Sequence, residues 1–260
     1  MIFLNVADKT EELFTLVVDI GEAMLVNGSP VHRVEDALKR MCKKFGADRT
    51  DVFIITSSMV LSIYFSDGRN YTQTRRILSI GTDYEKVHKL NEISRKICND
   101  EITAPQQIKS ELTSIHNCKN YPFYVECLAY SVISGAFTLF FGGGMWDALC
   151  SLLVGVIVRI VLKFSEKIIP NKIFTKFLAS LISTALAYIS FKVGFINNID
   201  KVLIGTIMTL IPGLGITTAL QDLFIGDSIA AILRTIEVVL SALAIAAGYF
   251  AVAIIGGWVL

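Results

Sequence analysis

Five long apolar segments, all in the second half of the chain, constrain this sequence more than any other feature. They run over 121–141, 146–164, 173–193, 202–220 and 229–255. A helix needs roughly 20 mostly apolar residues to cross a bilayer, and each segment approaches that length. Gly, Ala and Ser recur along all of them. Such small residues let membrane helices approach closely, so a dense bundle is expected and a single anchor does not fit. With 53% hydrophobic residues, 18% charged and a mean hydropathy of +0.59, the chain is too apolar for an ordinary soluble domain. Charges crowd into the residues before 120 and thin out after them. That step predicts a domain boundary, with an α+β domain over 1–119 and an all-α transmembrane domain of about five helices over 120–260.

In the first half, Leu13, Leu16, Val17, Ile20 and Met24 repeat at helical spacing, which predicts an amphipathic helix from Thr10 to Val26. Asn27-Gly28 ends it. Ser29 is placed to cap a second helix with Pro30 in its first turn, and Val31, Val34, Leu38, Met41 and Phe45 form the apolar stripe of that helix. Its polar face opens with His32, Arg33, Glu35 and Asp36, a cluster that reads either as a solvated first turn or as a site. Asp51 to Thr56, Met59 to Phe65 and Tyr71 to Ile80 are rich in β-branched and aromatic residues, with a Ser66-Asp67-Gly68-Arg69 turn between the last two, and predict a three-stranded meander. Arg75 and Arg76 point to opposite faces of the third strand, so one of them needs a partner. Glu85 to Cys98 and Pro105 to Cys118 are predicted to be helical.

Charge sets the expected topology. The loop between the second and third apolar segments carries Lys163, Lys167, Lys172 and Lys176 against Glu166. The positive-inside rule places that loop in the cytoplasm, together with residues 1–119, and five spans then put the C terminus outside. No basic n-region precedes an apolar core at the start, so no cleavable signal peptide is expected. A multi-pass protein of the cell membrane follows.

Within the apolar half, Pro212-Gly213-Leu214-Gly215 interrupts the fourth segment. Proline removes a backbone donor and glycine loosens the ladder, so the helix should break there. Thr217, Thr218, Asp222, Asp227, Arg234 and Glu237 follow the break. Glu126, Asp147 and Arg159 lie in or at the edge of the first two segments. A charge in the bilayer centre costs about 3 kcal/mol on insertion scales, so such groups face a partner, a cavity or water. Two readings stay open: ion pairs that fix helix packing, or a site where freed backbone and charges hold a solute or proton.

Several classes have no support. A net charge of +1 and the lack of a basic run with aromatics give no reason to invoke nucleic acid. Five cysteines without a C-x-x-C pair suggest neither a metal site nor a disulfide framework. No phosphate loop, H-E-x-x-H or G-x-S-x-G occurs, so no cofactor and no enzymatic activity are expected.

The ordered set Gly28-Ser29-Pro30-Val31-His32-Arg33-Val34-Glu35, Phe141-Gly142-Gly143 to Asp147, Ile211-Pro212-Gly213, Thr218-Ala219, Asp222, Gly226-Asp227 and Arg234-Thr235-Ile236-Glu237 resembles the threonine/serine exporter family. The likeness is to the larger subunit of its split, two-component form. It implies a proton-driven secondary transporter exporting threonine and serine, or a dicarboxylate such as succinate, with a second small membrane subunit or further copies of the chain as partners. On that reading Pro212, Gly213, Gly215, Thr217 and Thr218 contact the solute and Arg234 pairs with its carboxylate. Asp222, Asp227 or Glu237 carries the proton or meets an ammonium, and Gly28, Ser29, Arg33 and Glu35 form a motif of the cytoplasmic domain. The competing classes are a membrane-anchored hydrolase and a non-transporting assembly or sensor subunit.

Overall fold

The computed structural model describes residues 2–118, 121–169 and 171–257, with side chains from Glu11 onward. The boundary expected at 119/120 falls outside the described residues. The chain folds as two compact units: Met1–Lys119 with Thr217–Arg234, and Asn120–Ile216 with Thr235–Leu260.

In the first unit, α1 (Ile2–Val26) and α2 (Val31–Lys44) precede β1 (Arg49–Ile55), β2 (Ser58–Tyr64) and β3 (Asn70–Arg76), followed by α3 (Tyr84–Cys98) and α4 (Pro105–His116). The strands form an antiparallel meander in the order β1-β2-β3, with Ile54 opposite Met59 and Met59 opposite Arg75. Met59, Leu61 and Ile63 alternate inward and are fully covered. They pack with Phe14, Val17, Ile20 and Met24 of α1, Val34, Leu38 and Met41 of α2, and Leu90, Ile93 and Ile97 of α3. Arg75 finds its expected partners on α1, donating to Asp19 at 2.9 Å and lying 3.4 Å from Glu22. The α1–α2 corner is built on Gly28, whose φ is +96°. A Cβ there would meet the Gly81 carbonyl oxygen at 2.8 Å, so no side chain fits. Gly81 N donates to Val26 O and Asp83 N to Asn27 O, which clamps the corner in place. The N-cap of α2 is Pro30, and no side chain caps the helix. Ser29 therefore does not fill the capping role expected of it. Its hydroxyl is buried instead, without a hydrogen-bond partner among the described residues.

The second unit holds α5 (Phe123–Phe140), α6 (Met145–Ile168), α7 (Lys172–Lys192), α8 (Ile199–Met208) and most of α10 (Ser228–Ile255), with the start of α9 (Gly213–Ile225). α5, α6, α7 and α10 are each long and apolar enough to cross a membrane. The pair α8 and α9 passes the same criterion together and is bent by 55°. The fold is thus mostly helical, with four to five membrane-capable helices and a small sheet near the N terminus.

Burial in this unit is inverted relative to the first. Leu128, Phe140, Leu153, Ile189 and Leu243 point outward, whereas Ser134, Thr138, Ser151, Ser180, Ser183, Thr184 and Thr206 are buried. Apolar outside and small hydroxyls inside is the pattern of helices solvated by lipid. Thr138 and Ser151 share a hydrogen bond of 2.5 Å, and Ser180 donates to the Ile245 carbonyl at 2.6 Å.

Three of the sequence-predicted intramembrane charges are engaged in this packing. Glu126 accepts from Arg159 Nε at 2.9 Å, joining α5 to α6, and the guanidinium lies 5.7 Å from the Tyr130 ring centroid. Asp147 is wholly buried. Its carboxylate accepts from Gly144 N at 2.9 Å, Asn197 N at 2.9 Å, Asn198 N at 3.2 Å and Asn198 Nδ2 at 2.9 Å. One carboxylate thereby fixes the start of α6 to the loop that leads into α8. Asp147→Ala removes an acceptor from four donors at once, and hydrogen bonds to a charged group are worth about 1.5–3 kcal/mol each without adding fully. Thermal unfolding in detergent is expected to show a loss of about 3 kcal/mol or more.

Candidate functional site

The break in the fourth span lies where the sequence placed it, with a different local form. α8 ends at Met208 and α9 begins at Gly213, so the irregular residues are 209–212, while Gly213 and Gly215 are helical. Pro212 immediately precedes the first turn, where its missing N–H costs nothing. Tight turns close the gap: Leu210 N donates to Ile207 O and Gly213 N to Ile211 O, both at 2.8 Å. The expected unwound stretch with free polar backbone at 212–215 therefore does not form. Pro212 lines an apolar cavity of about 360 Å³ with Ile207, Ile211, Val238 and Tyr249, which offers a polar solute little. A Cβ on Gly215 would meet Val238 Cγ2 at 3.0 Å. Thr217 is exposed and Thr218 half-buried, and Glu237 is exposed on α10.

The charges gather elsewhere, in the first unit. After α9 the chain turns through Gly226, whose φ is +99°, and Asp227 N donates back to Asp222 O at 3.0 Å. Asp227 then accepts, through its carbonyl, the amide of Ala231 and so opens α10. This turn brings Arg234 of α10 onto Asp222 of α9, with Nε 3.3 Å from Oδ2. Asp222 is 0% exposed and Arg234 8%. The two are near enough to attract but not aligned. Neither carboxylate oxygen of Asp222, nor Arg234 Nε, makes a hydrogen bond among the described residues.

The same unit supplies a second set of groups from the start of α2. His32 is close enough to Asp222 and to Glu35 for their charges to act on one another, and Asp227 likewise acts on both carboxylates. Ser29 Oγ and His32 Nδ1 are buried and, among the described residues, have no hydrogen-bond partner. Burial raises the Glu35 carboxyl above the usual glutamate range, and the negative charge of Asp227 adds to it, while Lys39 at 3.6 Å opposes. A carboxyl held high contributes stability that is complete below its unfolded pKa and is lost as pH rises through its folded one. Glu35 is thus a group that accepts a proton more readily than an exposed glutamate does.

His32, Glu35, Asp222, Asp227 and Arg234 therefore form one cluster. With Lys39 beside Glu35, three carboxylates against one guanidinium and one ammonium leave one negative charge in excess when His32 is neutral. A buried polar atom without a partner costs about 1–3 kcal/mol, and His32, Asp222 and Arg234 carry four such atoms. Chemically, the set offers buried donors and acceptors and a carboxyl that takes up a proton. The sequence places His32 in the polar opening of α2, a cluster that reads either as a solvated turn or as a site, and gives it no further role. Its place one turn before Glu35 on the same helix face was the signal available. Arg33, by contrast, lies on a different face of α2 and lines a separate groove with α3.

Four membrane-capable helices and a bent pair that passes the same criterion define a multi-pass membrane protein. The chain belongs to the threonine/serine exporter family, since the family described as "Putative threonine/serine exporter" matches residues 15–256. Its members are membrane exporters. An uncharacterized protein of Schizosaccharomyces pombe is 22% identical over 261 residues. That alignment covers 95% of this chain and 30% of the yeast protein, so the chain spans under a third of that relative. No solved structure matches the chain.

Proposed function

We propose that this chain is the transport subunit of a proton-coupled secondary exporter for small amino acids of the serine and threonine type. The observation that supports this reading is the charge imbalance of the cluster at Glu35, Asp222, Asp227 and Arg234. Arg234 meets the solute carboxylate, the surplus negative charge meets its ammonium, and Glu35 or Asp227 takes the coupling proton. A dicarboxylate such as succinate would bring two more negative charges into a site that already has an excess, at a Coulomb cost that low local dielectric enlarges. Residues 1–119 lie in the cytoplasm, as the lysine count favours, and the fifth span exits on the outer face of the cell membrane. A second small membrane subunit, or further copies of this chain, completes the working assembly.

The test is efflux from proteoliposomes loaded with labelled serine, threonine or succinate, with and without a pH gradient and with and without a candidate partner subunit. The expected result is gradient-dependent serine and threonine efflux that falls about a hundredfold or more in Asp222→Asn, as loss of an essential buried charge implies. Efflux of succinate alone, or full activity of Asp222→Asn at normal protein level, overturns the proposal.

A further inference from the structure

A groove of about 390 Å³ lies between α2 and α3 in the first unit. Arg33, Asp36 and Arg40 face it from α2, at spacings of three and four, and Asn91, Arg95 and Cys98 face it from α3 at four and three. Such spacings put each trio on one face of its helix. Arg40 is ion-paired with Asp36. Among the described residues, Arg33 and Arg95 have no ion-pair partner. Three guanidiniums against one carboxylate leave two positive charges in excess, the opposite sign to the cluster on the neighbouring face of the same helix. Guanidinium forks match carboxylate and phosphate oxygens bidentately. The volume is at the lower end of that of small-molecule sites.

We infer that this groove is a binding site for a small dianion, a dicarboxylate or a phosphate ester, held by Arg33 and Arg95 and closed at one end by Arg40. The inference stands apart from the transport reading, because it uses none of the carboxylate cluster. It gives the unit a means of sensing a metabolite whose charge the transport site disfavours.

Cys98 lines the groove and is half-buried, so it reports occupancy directly. The full-length protein in detergent is treated with a maleimide in inorganic phosphate, adenosine monophosphate or succinate, with sodium chloride at matched ionic strength as reference. Alkylation is followed at Cys98, with Cys118, outside the groove, as internal control. At least one dianion is expected to slow Cys98 about tenfold at roughly nine-tenths occupancy, leave Cys118 unchanged, and lose its effect in Arg33→Gln/Arg95→Gln. Phosphate or nucleotide protection without succinate assigns the phosphate ester, and the converse assigns the dicarboxylate. Both arginines are exposed, so the double variant is expected to fold, which an unchanged Cys118 rate and thermal midpoint verify. If no dianion protects, if chloride protects equally, or if the folded double variant is still protected, the inference is overturned. If that variant does not fold, Arg33→Lys/Arg95→Lys replaces it: retained charge without the planar fork must weaken protection, and unchanged protection overturns the inference.

Discussion

Asp222→Ala is expected to destabilise the protein by about 3–5 kcal/mol, the cost of leaving one member of a buried ion pair without the other. Arg234 is 8% exposed and its nearest carboxylate is Asp222. Arg234→Ala is expected to cost less. A carboxylate can shed its charge by taking a proton, whereas a guanidinium stays charged at any accessible pH. Replacing both with leucine should recover most of the loss, since an apolar pair of similar volume is often no worse than a buried ion pair. Thermal unfolding of wild type, Asp222→Leu, Arg234→Leu and the double leucine variant closes a cycle that gives the coupling directly. If the double variant is as unstable as Asp222→Ala, the pair does not act as a pair. Efflux separates function from stability here: the double leucine variant, folded again, is expected to remain inactive.

How much of this was legible beforehand follows from the distance over which each interaction reaches. Local signals were reliable. The stripe of Val34, Leu38 and Met41, the alternation of Met59, Leu61 and Ile63, and the stop at Gly28 each depend on neighbours a few residues away, and each element stands close to where its pattern placed it. The need of Arg75 for a partner was likewise a local inference from strand geometry, and Asp19 and Glu22 meet it. Pairing across the chain was not legible. Asp147 looked like a lone charge because its donors sit about 50 residues on, at Asn197 and Asn198, and Glu126 because Arg159 is 33 residues away.

The site itself was half visible. Glu237 stands three residues from Arg234 on the same helix, but the turn at Gly226 folds α9 back and delivers Asp222 as the partner. Proline at 212 announced a break correctly. Whether the residues after it unwind or restart a helix depends on whether later turns can satisfy the backbone, and here Ile216 N finds Pro212 O at 3.1 Å and the helix restarts. The polar centre therefore shifts from freed backbone to buried side chains, and helical spacing pairs His32 with Glu35 but does not tell that Asp222 lies near both.

Gly205→Val is expected to prevent folding of the second unit, a more severe outcome than any variant of the charged cluster in the first. α8 passes α5 at Gly205 with backbone almost touching backbone. A Cβ would stand 2.0 Å from Thr138 Oγ1, 2.7 Å from Ser134 O and 2.9 Å from Thr138 N. Two of those three atoms are main chain and cannot rotate away, so the helices must separate. Separation uncovers Ser134 and Thr138 of α5 and Thr206 of α8, small polar residues that are sealed from solvent by this close approach. Overpacking by one methyl costs about 1–3 kcal/mol, and a branched side chain against fixed backbone exceeds that. Gly213 provides the contrast. It has nothing within 4 Å of an added Cβ and helical backbone, so Gly213→Ala is expected to leave stability unchanged or raise it by a few tenths of a kcal/mol. Size-exclusion profiles of the two variants in detergent decide the matter. A monodisperse peak for Gly205→Val would mean that α5 and α8 do not need their close approach, and that the small residues along these spans serve something other than packing.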